Sequence, residues 1–276
     1  MLVNSNELFV KARKGNYAIP ATNYIDLDSA RSYVKVAEQK RLPLILAFAQ
    51  SHKEIISLEE AALIGKFLGE KASVPIVLHL DHGEDYDFIE RAIQLGFTSV
   101  MIDASQKKFD DNIQISKEVV ELAHKFDISV EAELGHVGSN QISFEQGKPD
   151  SIYTETESVI EFVDKTKVDS LAISIGTAHG LYKGTPKINF ERLHEIRKLT
   201  DVPLVLHGGS SSGDLNLERC ATEGISKINI YTDFLMGAQH EIEDNGYKNY
   251  IELKKLANVG MEKVLEHYYK VFHTKL

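Results

Sequence analysis

Cysteine is nearly absent from this chain: Cys220 is the single example among 276 residues. One thiol cannot close an internal disulfide or build a thiolate metal cage, which excludes stapled extracellular scaffolds and cysteine-rich zinc modules. It fits a reducing, cytoplasmic setting. Long apolar runs are missing too. No stretch approaches the roughly 20 apolar residues that span a bilayer, and the opening MLVNSNELFVKARKGN is polar and amphipathic, with no signal-like core. A basic excess is also lacking, since 31 Lys and Arg face 41 Asp and Glu for a net charge of −10. That balance argues against a nucleic-acid binder, which needs a basic face. No Pro/Gly/Ser-rich linker, charge run or low-complexity segment divides the chain, so residues 1–276 read as one domain.

What is present is an alternation of short β-branched runs with longer segments of helical period. Eight candidate strands are expected at Tyr17–Thr22, Leu42–Ala49, Val74–Leu80, Ser99–Asp103, Ser129–Leu134, Ser170–Gly176, Val202–His207 and Ile225–Ile230. Between them, segments such as SLEEAALIGKFLGEKA place apolar residues three or four apart, as an amphipathic helix requires. Strand–helix alternation implies parallel pairing, because parallel neighbours need a crossover. Eight units in about 230 residues match the size of a closed (β/α)8 TIM barrel. An open doubly wound sheet would usually bring a glycine-rich phosphate turn after its first strand. Here that strand leads into PATNYIDLDSARSYV, with no such turn.

Barrel enzymes place their chemistry at the C-terminal ends of the strands. There the sequence gathers Asn23, Asp81, His82, Asp103, Glu133, His179, His207 and Asn229. The runs PIVLHLDH, LAISIGTAHG and PLVLHGGS each carry a histidine just past their apolar part: His82, His179 and His207. Three imidazoles suit zinc and leave a coordination position open for substrate. In HLDH, His79 and Asp81 share parity, so His82 can reach the mouth only if the strand ends there. His79 reads equally as an inward core residue or as a partner of a ligand. Asp81 is a candidate proton donor, fourth ligand or orienting group. Asp103 and Glu133 are candidate alternate ligands, charge-balancing carboxylates or acceptors for rim amides. His52, His124, His136, His194, His240, His267 and His273 carry no comparable context.

Two glycine-bearing turns follow the histidine strands, HGLYKG from His179 and HGGSS from His207. Glycine lets backbone N–H groups approach an anion closely, and the loops after the seventh and eighth strands of barrels commonly hold phosphate. Gly180, Gly208, Gly209 and Ser210, with Asn229, Ile230, Tyr231 and Thr232 at the end of the last strand, are therefore candidate phosphate contacts, and Asn23 a further substrate contact. Lys183 and Lys227 near the mouth read as surface or phosphate-field residues, not as covalent catalysts.

The motifs HLDHG, SVMIDAS, VEAELG, GTAHGLY, VPLVLHGGS and KINIYTD together resemble the class II, zinc-dependent ketose-bisphosphate aldolases. The segment from Asp169 to Gly208 is especially similar to the tagatose-bisphosphate branch. The resemblance implies a catalytic zinc on His82, His179 and His207, and a proton shuttled by Asp81. It implies dihydroxyacetone phosphate held by the two glycine turns and the Asn229–Thr232 segment. Asp103 and Glu133 match a second or mobile metal position, and a monovalent cation such as Na+ is a further expectation. The implied reaction is reversible cleavage of tagatose or fructose 1,6-bisphosphate to dihydroxyacetone phosphate and glyceraldehyde 3-phosphate. An aldolase for another phosphosugar and a weakly catalytic accessory subunit are the alternatives. A homo-oligomer built through the late helices near Met236–Leu276 is also implied. The chain departs from the family pattern at Gln141 and Ile142, where loop carboxylates are expected and for which Glu145 could substitute. It departs again at Ala49, where a hydroxyl is common, and at Tyr231. The last departure is the tail, which offers Lys248, Lys254 and Lys255 instead of an arginine.

Overall fold

The computed structural model describes residues 1–138, 153–182 and 184–276. Eight parallel strands close on themselves in chain order, as the alternation predicts. They are β1 (Ile19–Asn23), β2 (Leu44–Ala49), β3 (Ile76–Gly83), β4 (Ser99–Ile102), β5 (Ser129–Leu134), β6 (Ser170–Ile173), β7 (Leu204–Leu206) and β8 (Ile225–Ile230). Pairing of β8 with β1, Ala21 opposite Asn229, completes the ring. Helix α1 (Asn6–Gly15) precedes the first strand. Crossovers are made by α2 (Leu27–Lys40), α3 (Leu58–Lys71), α4 (Tyr86–Leu95), α5 (Phe109–Ala123), α6 (Thr156–Thr166), α7 (Phe190–Leu199) and α8 (Asp214–Glu223). After the last strand come α9 (Thr232–Asn245) and the long α10 (Tyr250–Val271).

Local chemistry sets the helix ends. Asp26 and Ser57 start α2 and α3 with reciprocal capping boxes to Ser29 and Glu60, which satisfy otherwise orphaned backbone donors. Gly96 ends α4 at φ 95°, a left-handed conformation that glycine adopts without strain. The outward faces of the strands (Leu46, Leu78, Val130, Leu171, Leu206 and Ile228 among them) are fully buried against the helices. Each such side chain contributes about 1.5–3 kcal/mol of transfer free energy.

The barrel interior is layered. At its bottom, Leu8, Phe9 and Ala12 of α1 pack on Ile19, Ala21, Ile45 and Val77, so this helix plugs the N-terminal end. The middle layer is polar: His79, Ser99, Glu131 and Lys227 are all buried there and bonded to one another. The upper layer holds Asn23, Asp81, Glu133 and Asn229. Among the described residues, no helix is long and apolar enough to cross a membrane.

Candidate active site

Each of the three expected histidines reaches the mouth by a different backbone device. His82 lies within β3, not beyond it, and sits at φ 47° with the β3–β4 register shifting between Leu80 and Gly83. A left-handed histidine is uncommon and costs strain. Here it reverses the parity that would otherwise turn the ring away from the mouth. His207 follows the last residue of β7 directly. The next residue, Gly208, is at φ 65°, and a Cβ there would lie 2.5 Å from the Ala178 carbonyl oxygen. Only glycine lets the His179 and His207 turns approach this closely. His179 lies six residues beyond the end of β6 on a loop, its backbone N–H donating to the Gly138 carbonyl at 2.8 Å.

The rings converge. Their centroids lie 4.5 Å apart for His82 and His207, 5.0 Å for His82 and His179, and 6.0 Å for His179 and His207. All three ring pairs meet edge to face, and one nitrogen from each lies within 4.8 Å of the others. The outer nitrogens of two rings are held by carboxylates: His82 Nδ1 by Asp103 Oδ2 at 2.9 Å, and His207 Nε2 by Glu131 Oε1 at 2.8 Å. Their inner nitrogens, His82 Nε2 and His207 Nδ1, then face each other at 2.8 Å. Two lone pairs so placed demand a cation between them, either a shared proton or a metal ion. This donor set fits a divalent metal of the zinc type, with the carboxylates orienting the ligands from behind. The same demand shows in His82 itself. Burial would lower its pKa, but Asp81, Asp103 and Glu133 together hold it well above the usual imidazole range.

A second ligand group joins His82 to Asp103 and Glu133. Glu133 is fully buried; Oε1 accepts from the Val137 N–H at 2.9 Å, while Oε2 has no hydrogen-bond partner among the described residues. Burial, with the Asp103 charge beside it, raises its carboxyl to about 8. An orphaned buried carboxylate oxygen facing a histidine fits a second cation position.

Asp81 stands in neither ligand group. It is completely buried, with Oδ2 accepting from Asn23 Nδ2 and Oδ1 from Asn229 Nδ2, both at 2.9 Å. Burial alone would raise its pKa, but His82, Lys227 and His207 hold it well below the usual carboxylate range. The arrangement suits a fixed, ionised proton acceptor beside the histidines.

Next to these groups lies a small hollow lined by His179, Gly180, Gly208, Ser210, Asn229, Tyr231 and Thr232. It opens at the N-terminus of α9, where the positive end of the helix dipole favours an anion. Ser210 Oγ accepts from the Tyr231 N–H at 3.0 Å and so ties the two walls together. Two expected contacts, Gly209 and Ile230, do not line it. The Gly209 N–H is spent on the Asn229 carbonyl at 3.1 Å, and a Cβ on Gly209 would collide with Ile228, Ile230 and that carbonyl oxygen. Ile230 points outward into the helix-covered core, because it has the opposite parity to Asn229. A larger cavity of about 280 Å³ adjoins the hollow, with His82, Asp103, His136, His179, Gln50 and Lys53 among its walls.

Several other expectations change. Lys227 is neither at the surface nor in the phosphate field; it is 0% exposed and paired with Glu131 inside the barrel. His136 is buried on the cavity wall, 3.0 Å from Ser105 Oγ and 3.7 Å from Glu133. His52 is buried with its ring 4.7 Å from that of Tyr231. Both were placed without context by sequence alone. His124, His194, His267 and His273 do sit outside the site, paired with surface carboxylates. Ala49 lies opposite Asp81 in the β2–β3 register and offers no hydroxyl there. Lys254 is ion-paired with Asp28 and Lys255 is exposed, and neither of them, nor Lys248, lines the described cavities. Gln141, Ile142, Glu145 and Lys183 lie outside the described residues. Glu131 escaped the sequence reading, although it shares parity with Glu133 on β5 just as Lys227 does with Asn229 on β8.

Comparison with known proteins points the same way as this geometry. Over 248 residues the chain is 39% identical to the D-tagatose-1,6-bisphosphate aldolase subunit GatY of Klebsiella oxytoca, covering 88% of this chain and 87% of that protein. The crystal structure of the YdjI aldolase from Escherichia coli superposes with a TM-score of 0.88 at 30% identity, covering 99% of this chain and 98% of the other. A fructose-bisphosphate aldolase from Campylobacter jejuni shares the fold, at a TM-score of 0.81 and 22% identity, with 99% and 95% covered. The family model for fructose-bisphosphate aldolase class-II matches residues 3–275. Spanned almost end to end by that match, the chain belongs to the class II fructose-bisphosphate aldolase family and is an aldolase, a lyase on a (β/α)8 barrel.

Proposed function

We propose that this chain is a zinc-dependent aldolase that reversibly cleaves a ketose 1,6-bisphosphate, tagatose or fructose, to dihydroxyacetone phosphate and glyceraldehyde 3-phosphate. The observation that carries the reading is the convergence of His82, His179 and His207 beside an ionised, amide-clamped Asp81. His82 through Nε2, His207 through Nδ1, and His179 would hold the ion, and Asp103 and Glu133 would offer a second position. Bound zinc would supply Lewis-acid stabilisation of the charge that develops as the carbon–carbon bond breaks. Gly180, Gly208, Ser210, Asn229, Tyr231 and Thr232 would seat the phosphate of the dihydroxyacetone half at the α9 N-terminus. The larger cavity would take the aldehyde half. Asp81 would accept the proton of the hydroxyl next to the bond that breaks and return it in the condensation direction. Asn23 and Asn229 keep its carboxylate aimed throughout. No lysine Schiff base enters this scheme. A monovalent cation such as Na+ belongs to the same reading, with no residue of its own assigned. So do a cytoplasmic setting and a homo-oligomer formed through the late helices, where Tyr247, Tyr250 and Ile251 are exposed.

The test is a coupled assay of the zinc-loaded chain with fructose and tagatose 1,6-bisphosphates side by side, reading dihydroxyacetone phosphate. Cleavage is expected, and the ratio of kcat/KM names the preferred sugar. No product from either would turn the reading toward another phosphosugar or toward an accessory role, the latter because the Klebsiella relative is itself a subunit.

A further inference from the structure

A buried lysine inside an aldolase barrel invites a covalent role, but Lys227 is fully committed elsewhere. Its ammonium has three N–H donors. They meet Glu131 Oε2 at 2.7 Å, Glu131 Oε1 at 2.9 Å and His79 Nε2 at 3.2 Å, with Lys227 0% and Glu131 1% exposed. Because His79 accepts at Nε2, it carries its proton on Nδ1 and donates it to Ser99 Oγ at 2.9 Å. The ring is therefore fixed from both sides and serves as a wall for the lysine. Glu131 is in turn held by both oxygens, and its Oε1 also meets His207 Nε2 at 2.8 Å. An ion-paired carboxylate can only accept hydrogen bonds. His207 must then donate from Nε2, which leaves the Nδ1 lone pair facing His82 Nε2.

We infer that Glu131 and Lys227 are positioning residues for His207: the ion pair fixes which imidazole nitrogen is presented to the metal and in what direction. The inference rests on the metal reading above and deepens it. It also explains why a polar layer lies where barrels usually stack bulky apolar side chains. Leu or Ile would fill the volume of Lys227 and Glu131, and a buried pair is often no more stabilising than such a replacement. What the apolar alternative cannot supply is an acceptor aimed at His207 Nε2. Orienting partners of this kind typically affect metal affinity by about 10–100-fold.

Two measurements test this. In the zinc-loaded, unsubstituted protein, long-range 1H–15N correlation of the histidine rings should show the His207 proton on Nε2, slowly exchanging; a proton on Nδ1 would overturn the inference. Second, Glu131→Gln and the double variant Glu131→Gln/Lys227→Met should fold when metal-free but bind zinc about 10–100-fold more weakly in competition with a chromophoric chelator. Phe9→Ala, which loosens the barrel floor, serves as a control that lowers Tm without weakening zinc binding. Lys227→Met alone buries an uncompensated carboxylate, and if it fails to fold, the neutral double variant decides. Unchanged zinc affinity in the folded variants would contradict the positioning role. Absence of stoichiometric zinc in the unsubstituted protein would contradict instead the metal reading on which it rests.

Discussion

Both oxygens of Asp81 are already held by amides, yet a carboxylate has lone pairs to spare for a third donor. That suits it to the proposed role of proton acceptor, and it stands in neither candidate ligand group. Asp81→Ala is therefore expected to keep zinc content near that of the unsubstituted chain while cleavage falls by about 10²-fold or more. Metal analysis and the coupled assay check this together, and retained activity would move the proton role to another group. Cys220 is the opposite kind of residue. It is fully buried, and burial pushes its thiol up to about 12. Since the thiolate is the reactive form, Cys220 should resist alkylation at neutral pH in the folded protein and react only after denaturation. Rapid labelling of the native chain would show that the α8 packing is wrong.

At the scale of elements, α1 does a job that its amphipathic sequence only hinted at. Phe9 is 2% exposed and closes the barrel from below, at the end opposite the histidines. Phe9→Ala should cost about 3–5 kcal/mol of stability, with kcat at 25 °C nearly unchanged in the folded fraction. Denaturant unfolding and steady-state kinetics separate the two. The strands themselves were readable from their β-branched runs, and two of the eight match to the residue: β5 and β8. Of the remaining ends, some are unchanged and the others move by up to three residues: most expected runs overshoot the ladder through adjoining loop residues, whereas β1 and β3 run on past theirs, to Asn23 and Gly83. Period-two reasoning put His79 and Asp81 on one face, and both lie buried inside the barrel, but it was not applied to Ile230, whose parity sends it outward. The φ of 47° at His82 left no signal beyond the His-Gly pair that follows it, since a bulge is a tertiary solution and not a composition. Glu131 was missed and Lys227 put near the mouth for another reason: charged residues in a β run are expected at its rim, and only the cross-barrel contact shows that each neutralises the other.

For the whole molecule, the closed barrel accounts for why residues as distant as Asn23, Asp81, Asp103, Glu133, His179, His207 and Asn229 meet at one mouth. Seven of the eight strands or their following loops contribute these residues, and each contributes a short polar tip on an apolar staff. The same closure leaves the floor to packing and the mouth to chemistry, so stability and activity should respond to different substitutions. The acidic net charge of −10 sits outside this division and says only that a phosphorylated sugar must be drawn in by local groups, not by the overall field. The proposed metal position lies at one end of this design and the lysine is locked in its middle. Cleavage of a ketose 1,6-bisphosphate should therefore stop on chelation and return on addition of zinc, with borohydride in the presence of substrate leaving the chain unlabelled. Activity that survives complete removal of metal, or a substrate trapped covalently on a lysine, would contradict the assignment at its centre.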